Sequence, residues 1–244
     1  MHTSDHPARR STAAALVITA LFVLTQLYSA IPLIGPVSTD LGRNATFALS
    51  TSFSLCYALG FLIWGPIADH YGRRACLLIG MTLLTVATLS CAVTTSLGAL
   101  AVARCIQGIT AASFAPIALA YLSDSTPPTW RGTAIGAMST AFLVAGIFGQ
   151  VTAQAITERW GWHWVFGASS LIAVLMRDRT TRAPYSSLID QFTRVGALLT
   201  APTILLLCSA HVTLLLVFVA MYTALGPHLV SLGYSPSDVL ILRL

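Results

Sequence analysis

Four ionisable side chains crowd into six residues of the stretch WGPIADHYGRRACLLIG: Asp69, His70, Arg73 and Arg74. A lone charge, Arg104, stands in LAVARCIQGITAA, with Gln107 one helical turn on. The first group is a tight, charged turn, in which Gly72 serves the reversal and Asp69 and the arginines offer opposite charges. The second is a single guanidinium among apolar residues, which must face a wet cavity or a bonding partner. The acids Asp40, Asp69, Asp124, Glu158 and Asp238 all lie near the ends of apolar runs or in loops, so no proton-carrying acid is visible at depth. No metal is expected and no cofactor, because the five cysteines lack metal-ligand spacing and are odd in number. They read as buried thiols acting as small hydrophobes, not as a disulfide framework.

The rest of the chain explains why those charges stand out. Of its 244 residues 56% are hydrophobic and 9% charged, with a mean hydropathy of +0.79. A soluble domain of this length carries about 25% charged residues. This chain cannot cover itself with polar surface, so its solvent is lipid, and an all-α integral membrane protein is expected. The net charge of +5 comes from 13 arginines and no lysine, and their placement points to membrane topology, not to nucleic acid. A membrane enzyme would need His, Asp, Glu or Cys converging at membrane depth, and none converge.

The apolar runs predict spanning helices at about 12–35, 47–68, 75–95, 97–122, 132–157, 161–176 and 203–226, with an eighth starting near 239. The sixth is short, and the first is too long for a signal peptide. With the N-terminus in the cytoplasm, Arg9, Arg10, Arg73, Arg74, Arg131, Arg177, Arg179, Arg182 and Arg194 lie inside, and only Arg43 and Arg159 outside. Trp160, Trp162 and Trp164 then anchor the outer interface. The expected domains are a cytoplasmic tail (1–11), a six-helix bundle (12–176), a central inner loop (177–202) and the start of a second bundle (203–244). Within the loop, SSLIDQFTRVGALL (186–199) gathers Leu188, Ile189, Phe192, Val195 and Leu199 on one face, as in an interfacial helix.

Gly65, Asp69, Gly72, Arg73 and Arg74 follow the pattern G-x-x-x-D-x-x-G-R-R, which resembles the signature loop of the major facilitator superfamily of secondary transporters. Leu100, Arg104, Gln107, Gly108, Ala111 and Ala112 resemble the same superfamily's fourth-helix motif, L-x-x-x-R-x-x-Q-G-x-x-A-A. The resemblance implies an N-terminal six-helix bundle of two inverted three-helix repeats plus about one further helix, from a twelve-helix carrier. It further implies an Arg104 that faces a central cavity and serves proton coupling, and a signature loop that latches two bundles on the inner side. Read without the resemblance, Arg104 can also be a structural arginine bonded to carbonyls of a neighbouring helix.

A weak internal repeat agrees. A shift of 84 residues aligns Ser29 and Pro32 with Ser113 and Pro116, Asp40 with Asp124, and IWGPI (63–67) with IFGQV (147–151). An odd number of spans per repeat reverses orientation, so the units are inverted, and Pro32 and Pro116 kink paired helices lining one cavity. In the fifth span Gly136, Gly146 and Gly149 permit close helix packing. Here Ala145, Gln150, Ala153 and Gln154 depart from the antiporter pattern G-x(8)-G-x(3)-G-P-x-x-G-G of the resembled family. Gln150 and Gln154 can instead line the cavity, as can Gln26 and Tyr28, whose alternative is plain interhelical hydrogen bonding. His211 can titrate or simply bond a neighbouring helix.

Arg73 is expected to pair with Asp124 across the inner ends of the third and fourth spans, and Asp69 to sit against a neighbouring helix start. Two functions follow from the whole. One is a proton-coupled exporter of small, partly apolar molecules in the cell's plasma or inner membrane, with the N-terminus cytoplasmic. The other is a derivative, ending at VLILRL where an eighth span begins, that inserts but lacks the second bundle needed for transport.

Overall fold

The computed structural model describes residues 5–176, isolated helical positions at 202, 206, 209, 210, 213 and 217, and residues 231–233. Beyond those isolated positions, the expected inner-loop helix (186–199), the seventh span with His211, and the start of the eighth lie outside the described residues. Lipid offers no partner for a backbone amide, so each apolar run satisfies its own amides by coiling. Helices α1 (Asp5–Tyr28) and α2 (Ala30–Asp40) form the first span. A π-helical turn (Phe47–Thr51) and α3 (Ser52–Tyr71) form the second, and α4 (Arg73–Ala92) the third. Helices α5 (Leu97–Ala111) and α6 (Phe114–Ser125) form the fourth, α7 (Pro128–Trp160) the fifth and α8 (His163–Met176) the sixth. The first five are long and apolar enough to cross a membrane; α8, at 14 residues, is about 21 Å long at 1.5 Å per residue.

The first and fourth spans break at equivalent places. The first breaks at Ser29 and the fourth at Ala112–Ser113, and each break lies just ahead of a proline, Pro32 or Pro116. A proline has no amide for the carbonyl four residues back and crowds it, which loosens the turn before it. The two serines answer in the same way: Ser29 Oγ donates to Gln26 O at 3.2 Å and Ser113 Oγ to Thr110 O at 2.7 Å. Packing repeats the relation. Helix α3 lies along α5, α1 lies along α7, and α4 lies along α8. Exchanging the first span with the fourth, the second with the fifth and the third with the sixth maps this set of contacts onto itself. The bundle is therefore built from two inverted three-helix repeats.

Two apolar cores form, one toward each end of the bundle. One gathers Leu16, Phe53, Leu84, Phe114, Leu122 and Met138; the other gathers Leu33, Leu49, Leu100, Trp162 and Phe166. Each span passes between them through a buried polar residue: Gln26, Ser52, Thr88, Arg104 with Gln107, Gln150 and Ser170.

Close crossings need missing side chains. A Cβ on Gly108 would lie 2.4 Å from Phe53 O, and one on Gly60 2.6 Å from Ala112 Cβ, so α3 and α5 touch backbone to backbone. Of the glycines expected to pack the fifth span, Gly149 does so against Thr25, at 3.0 Å, and Gly146 meets the Tyr28 ring at 3.8 Å. Gly136 does not: its Cβ position has nothing within 4 Å among the described residues, because it lies on the exposed face of α7.

Two further expectations change. Cys56 of α3 and Cys105 of α5 are joined in a disulfide, with their Cα atoms 5.2 Å apart, where thiols were expected. The α3–α5 contact that Gly108 and Gly60 allow brings the two cysteines together, a proximity that spacing along the chain cannot reveal. Cys76 and Cys91 are free and buried, as expected. Trp160 and Trp164 are exposed and suit an interface anchor, but Trp162 is buried in the second core. Its ring stacks on His163 at 3.5 Å and meets Phe166 edge-on.

Candidate functional site

The polar layer centres on Arg104, which is fully buried. It lies two turns into α5, on the face turned toward α3, α1 and α4. Its Nε donates to Leu49 O at 2.8 Å, and its Nη1 donates to Gln26 O at 3.1 Å and to Gln107 Oε1 at 2.7 Å. The guanidinium carbon stands 4.2 Å from the centre of the Phe53 ring and 5.7 Å from that of Phe166. Among the described residues no carboxylate pairs with it, so carbonyl dipoles and ring faces carry the charge. Its Nη2 has no hydrogen-bond partner among the described residues.

The acceptors come from irregular backbone. In the π-helical turn the amide of Ser52 reaches back five residues to Phe47 O, a wider coil that loosens the carbonyls of this stretch, Leu49 among them. Gln26 O lies at the last turn of α1, beside the break at Ser29. A comparable release occurs on the fourth span, where Ser113 N turns to Thr110 O and Trp64 Nε1 takes Ile109 O at 2.8 Å. Each irregular turn thus has a side chain that uses its loosened carbonyl.

Gln107 extends the network. Its Nε2 donates to Thr88 Oγ1 at 2.8 Å and lies 3.4 Å from Gln26 Oε1, while Cys91 Sγ approaches Gln107 Oε1 at 3.5 Å. Gln26, Arg104 and Gln107 are therefore brought together. Gly108 is explained by the α3 crossing. Among the described residues Arg104 is enclosed and bonds neighbouring carbonyls, as the structural reading of the sequence allows. Gln150 and Gln154 stand apart from it, since Gln150 Nε2 folds back on Gly146 O and Gln154 Nε2 donates to Glu158 Oε1. Tyr28 packs its ring over Gly146, and Pro32 and Pro116 are half-buried at the breaks. Leu49, Phe53 and Thr88 escaped the sequence reading, because nothing about an isolated Leu, Phe or Thr in an apolar run marks it as a partner.

At the other candidate site Gly72 has φ +90°, a left-handed conformation that lets α3 end and α4 begin one residue later. Arg73 Nη1 donates to Asp124 Oδ2, and Arg73 Nη2 lies 3.6 Å from Asp69 Oδ1. Arg73 therefore sits between two carboxylates. Gly65 has open space at its Cβ position, so no described neighbour demands a glycine there. The Arg74 side chain lies outside the described residues. An exposed pair of this kind is worth about 0–1 kcal/mol. Arg73→Asp and Asp124→Arg should each lower the melting temperature of the purified protein, and the double swap should regain part of the loss. Recovery stays incomplete because the carboxylate introduced at position 73 would face Asp69. A double variant no better than the sum of the singles would show that the pair does not hold the loop.

Among the described residues no three His, Cys, Asp or Glu side chains gather as a metal site. Irregular helices that meet around a buried polar centre, in inverted repeats, define the architecture of secondary transporters. Residues 16–242 match the Major Facilitator Superfamily, and the chain belongs to that family. It is 30% identical over 148 residues to Multidrug resistance protein 3 of Bacillus subtilis, covering 58% of this chain and 29% of that protein. It is 32% identical over 133 residues to Multidrug export protein EmrB of Haemophilus influenzae, covering 53% of this chain and 26% of that one. The crystal structure of a bacterial homologue of the human lysosomal transporter Spinster, inward-facing and unoccupied, shares the fold. It matches with a TM-score of 0.63 at 20% identity, over 74% of this chain and 45% of the other. The chain thus spans less than a third of these two curated relatives and less than half of that solved carrier.

Proposed function

We propose that this bundle serves a secondary carrier that exports small, partly apolar molecules in exchange for protons by alternating access. The observation that carries the reading is the polar layer. A buried arginine, its Nη2 without a partner among the described residues, is held at mid-height between two apolar cores by irregular turns of the first and second spans. A charge at such depth costs about 2.5–3.5 kcal/mol to insert, a cost out of keeping with simple packing. The relatives named for multidrug resistance and export support a drug-like, partly apolar substrate. The distribution of arginines supports a plasma or inner membrane location, with the N-terminus, the Arg73 loop and the 177–202 segment in the cytoplasm. The 203–244 segment then begins the second bundle.

Expression in a bacterium stripped of its own drug carriers tests this. Cells should accumulate less of a lipophilic cationic dye, and a protonophore should erase the difference. Coverage of under a third of the curated relatives supports a second reading, in which the bundle inserts but transports only with a second bundle. Dye accumulation that falls only when a relative's C-terminal half is co-expressed would select that reading. Reporter fusions should place residue 70 inside and residue 96 outside; residue 70 on the outside would overturn the orientation.

A further inference from the structure

The internal symmetry relates more than the two breaks. The 84-residue shift carries Asp40 onto Asp124, and the repeats carry the third span onto the sixth. Asp124, near the end of the fourth span, accepts from Arg73 at the start of the third. Asp40, the last residue of the first span, accepts from Trp162 Nε1 at 3.0 Å, and Trp162 immediately precedes the sixth. Exchanging the first span with the fourth and the third with the sixth turns one contact into the other. The connections agree as well: Arg73 follows Gly72 and Trp162 follows Gly161, and both glycines have φ +90°. Two left-handed glycines therefore stand at two helix starts, one residue before α4 and two before α8, and in both the next residue reaches an aspartate at or near the end of a repeat-related span.

We propose that Asp40 and Trp162 are positioning residues that form a second clasp, the symmetry counterpart of Asp124 and Arg73 at the opposite end of the bundle. Each clasp ties a broken span, which contributes Gln26 or Arg104 to the polar layer, to an unbroken neighbour. Both carboxylates are exposed, but the indole N–H is an uncharged donor on a buried ring, which excludes water at the donor, whereas the Arg73 clasp is an ion pair. Salt therefore weakens the Arg73 end more than the Trp162 end. That the six spans move as one body while both clasps hold rests on the carrier reading; the clasp itself does not.

The purified chain tests this by its melting temperature in detergent. Asp40→Ala and Trp162→Phe should each lower it, and the double variant should melt no lower than the worse single. Asp40→Asn, which keeps a neutral acceptor, should lose less than Asp40→Ala. Asp40→Ala combined with Asp124→Ala, at opposite ends, should lose the sum of the two. Raising salt should lower the melting temperature of the unmodified protein more than that of the Asp124→Ala variant. If Asp40→Ala or Trp162→Phe does not fold, the indole N–H resonance of Trp162 in the unmodified protein and in Asp40→Asn replaces them, and it should shift upfield in the latter. Additive losses for Asp40→Ala with Trp162→Phe, or an indole resonance indifferent to Asp40→Asn, would overturn the clasp. Coupling in a protein that moves no dye, alone or with a relative's C-terminal half, keeps the clasp and removes the carrier reading, whereas dye export without coupling does the opposite.

Discussion

Exchanging Arg104 for methionine is expected to end transport while leaving the bundle folded in the membrane. Methionine is long, unbranched and apolar, and can fill most of the space between Phe53 and Phe166. Losing the charge removes an insertion cost of about 2.5–3.5 kcal/mol. Against that, Leu49 O, Gln26 O and Gln107 Oε1 each lose a donor, at about 1 kcal/mol apiece, and the contact with Phe53 goes, at about 1 kcal/mol. The sums nearly cancel, as they do when buried ionic groups elsewhere are replaced by apolar ones. Alanine, by contrast, adds a cavity worth about 2–5 kcal/mol and should destabilise. Lysine keeps the charge but cannot reach Leu49, Gln26 and Gln107 from one nitrogen, so transport should return only in part. Dye export and melting temperature, measured on the same three variants, decide the matter. A methionine variant that exports normally would reduce Arg104 to a packing residue.

Gly108→Ala should be strongly damaging for the addition of a single methyl. The new Cβ would lie 2.4 Å from Phe53 O and 3.1 Å from Tyr57 N, and both are backbone atoms that no rotamer change can move aside. Helices α3 and α5 must separate, which strains the bonds from Arg104 to Leu49 and from Trp64 to Ile109. Overpacking of this kind costs about 1–3 kcal/mol. Gly136→Ala is the control, because its Cβ enters open space on α7 and alanine favours the helix by up to about 1 kcal/mol. The two substitutions should therefore move the melting temperature in opposite directions. Equal effects would mean that the close crossing of α3 and α5 does not exist in the membrane.

The five long spans, the short sixth and the breaks near Pro32 and Pro116 were legible because apolar length and proline act locally. The pairing of Arg73 with Asp124 was legible because few charges were available and the span order placed those two at one end. The inner half of the site was not. In lipid both the packed and the exposed faces of a helix are apolar, so pattern does not say which face meets protein. Gly108 and Gly136 look alike in sequence, and only the crossing of α3 with α5 separates them. Cys56 and Cys105 meet across that same crossing. The π-helical turn at Phe47–Thr51 carries no proline, and its role appears only when Arg104 reaches Leu49. Trp162 misled because an aromatic near a span end commonly anchors at the interface, whereas the Asp40 carboxylate draws this one inward.

The polar layer also works as a depth gauge. Apolar helices in lipid can slide along one another with little loss, since leucine against leucine is much the same one turn higher. Here a slip of one turn, about 5.4 Å, would carry Gln107 away from Thr88 and Gln26 and set the Arg104 guanidinium against aliphatic side chains. Four spans are thereby pinned at a common height. During insertion, mispositioned helices would be recognised by unmet hydrogen bonds at the midplane, a proofreading step written into Gln26, Thr88, Arg104 and Gln107.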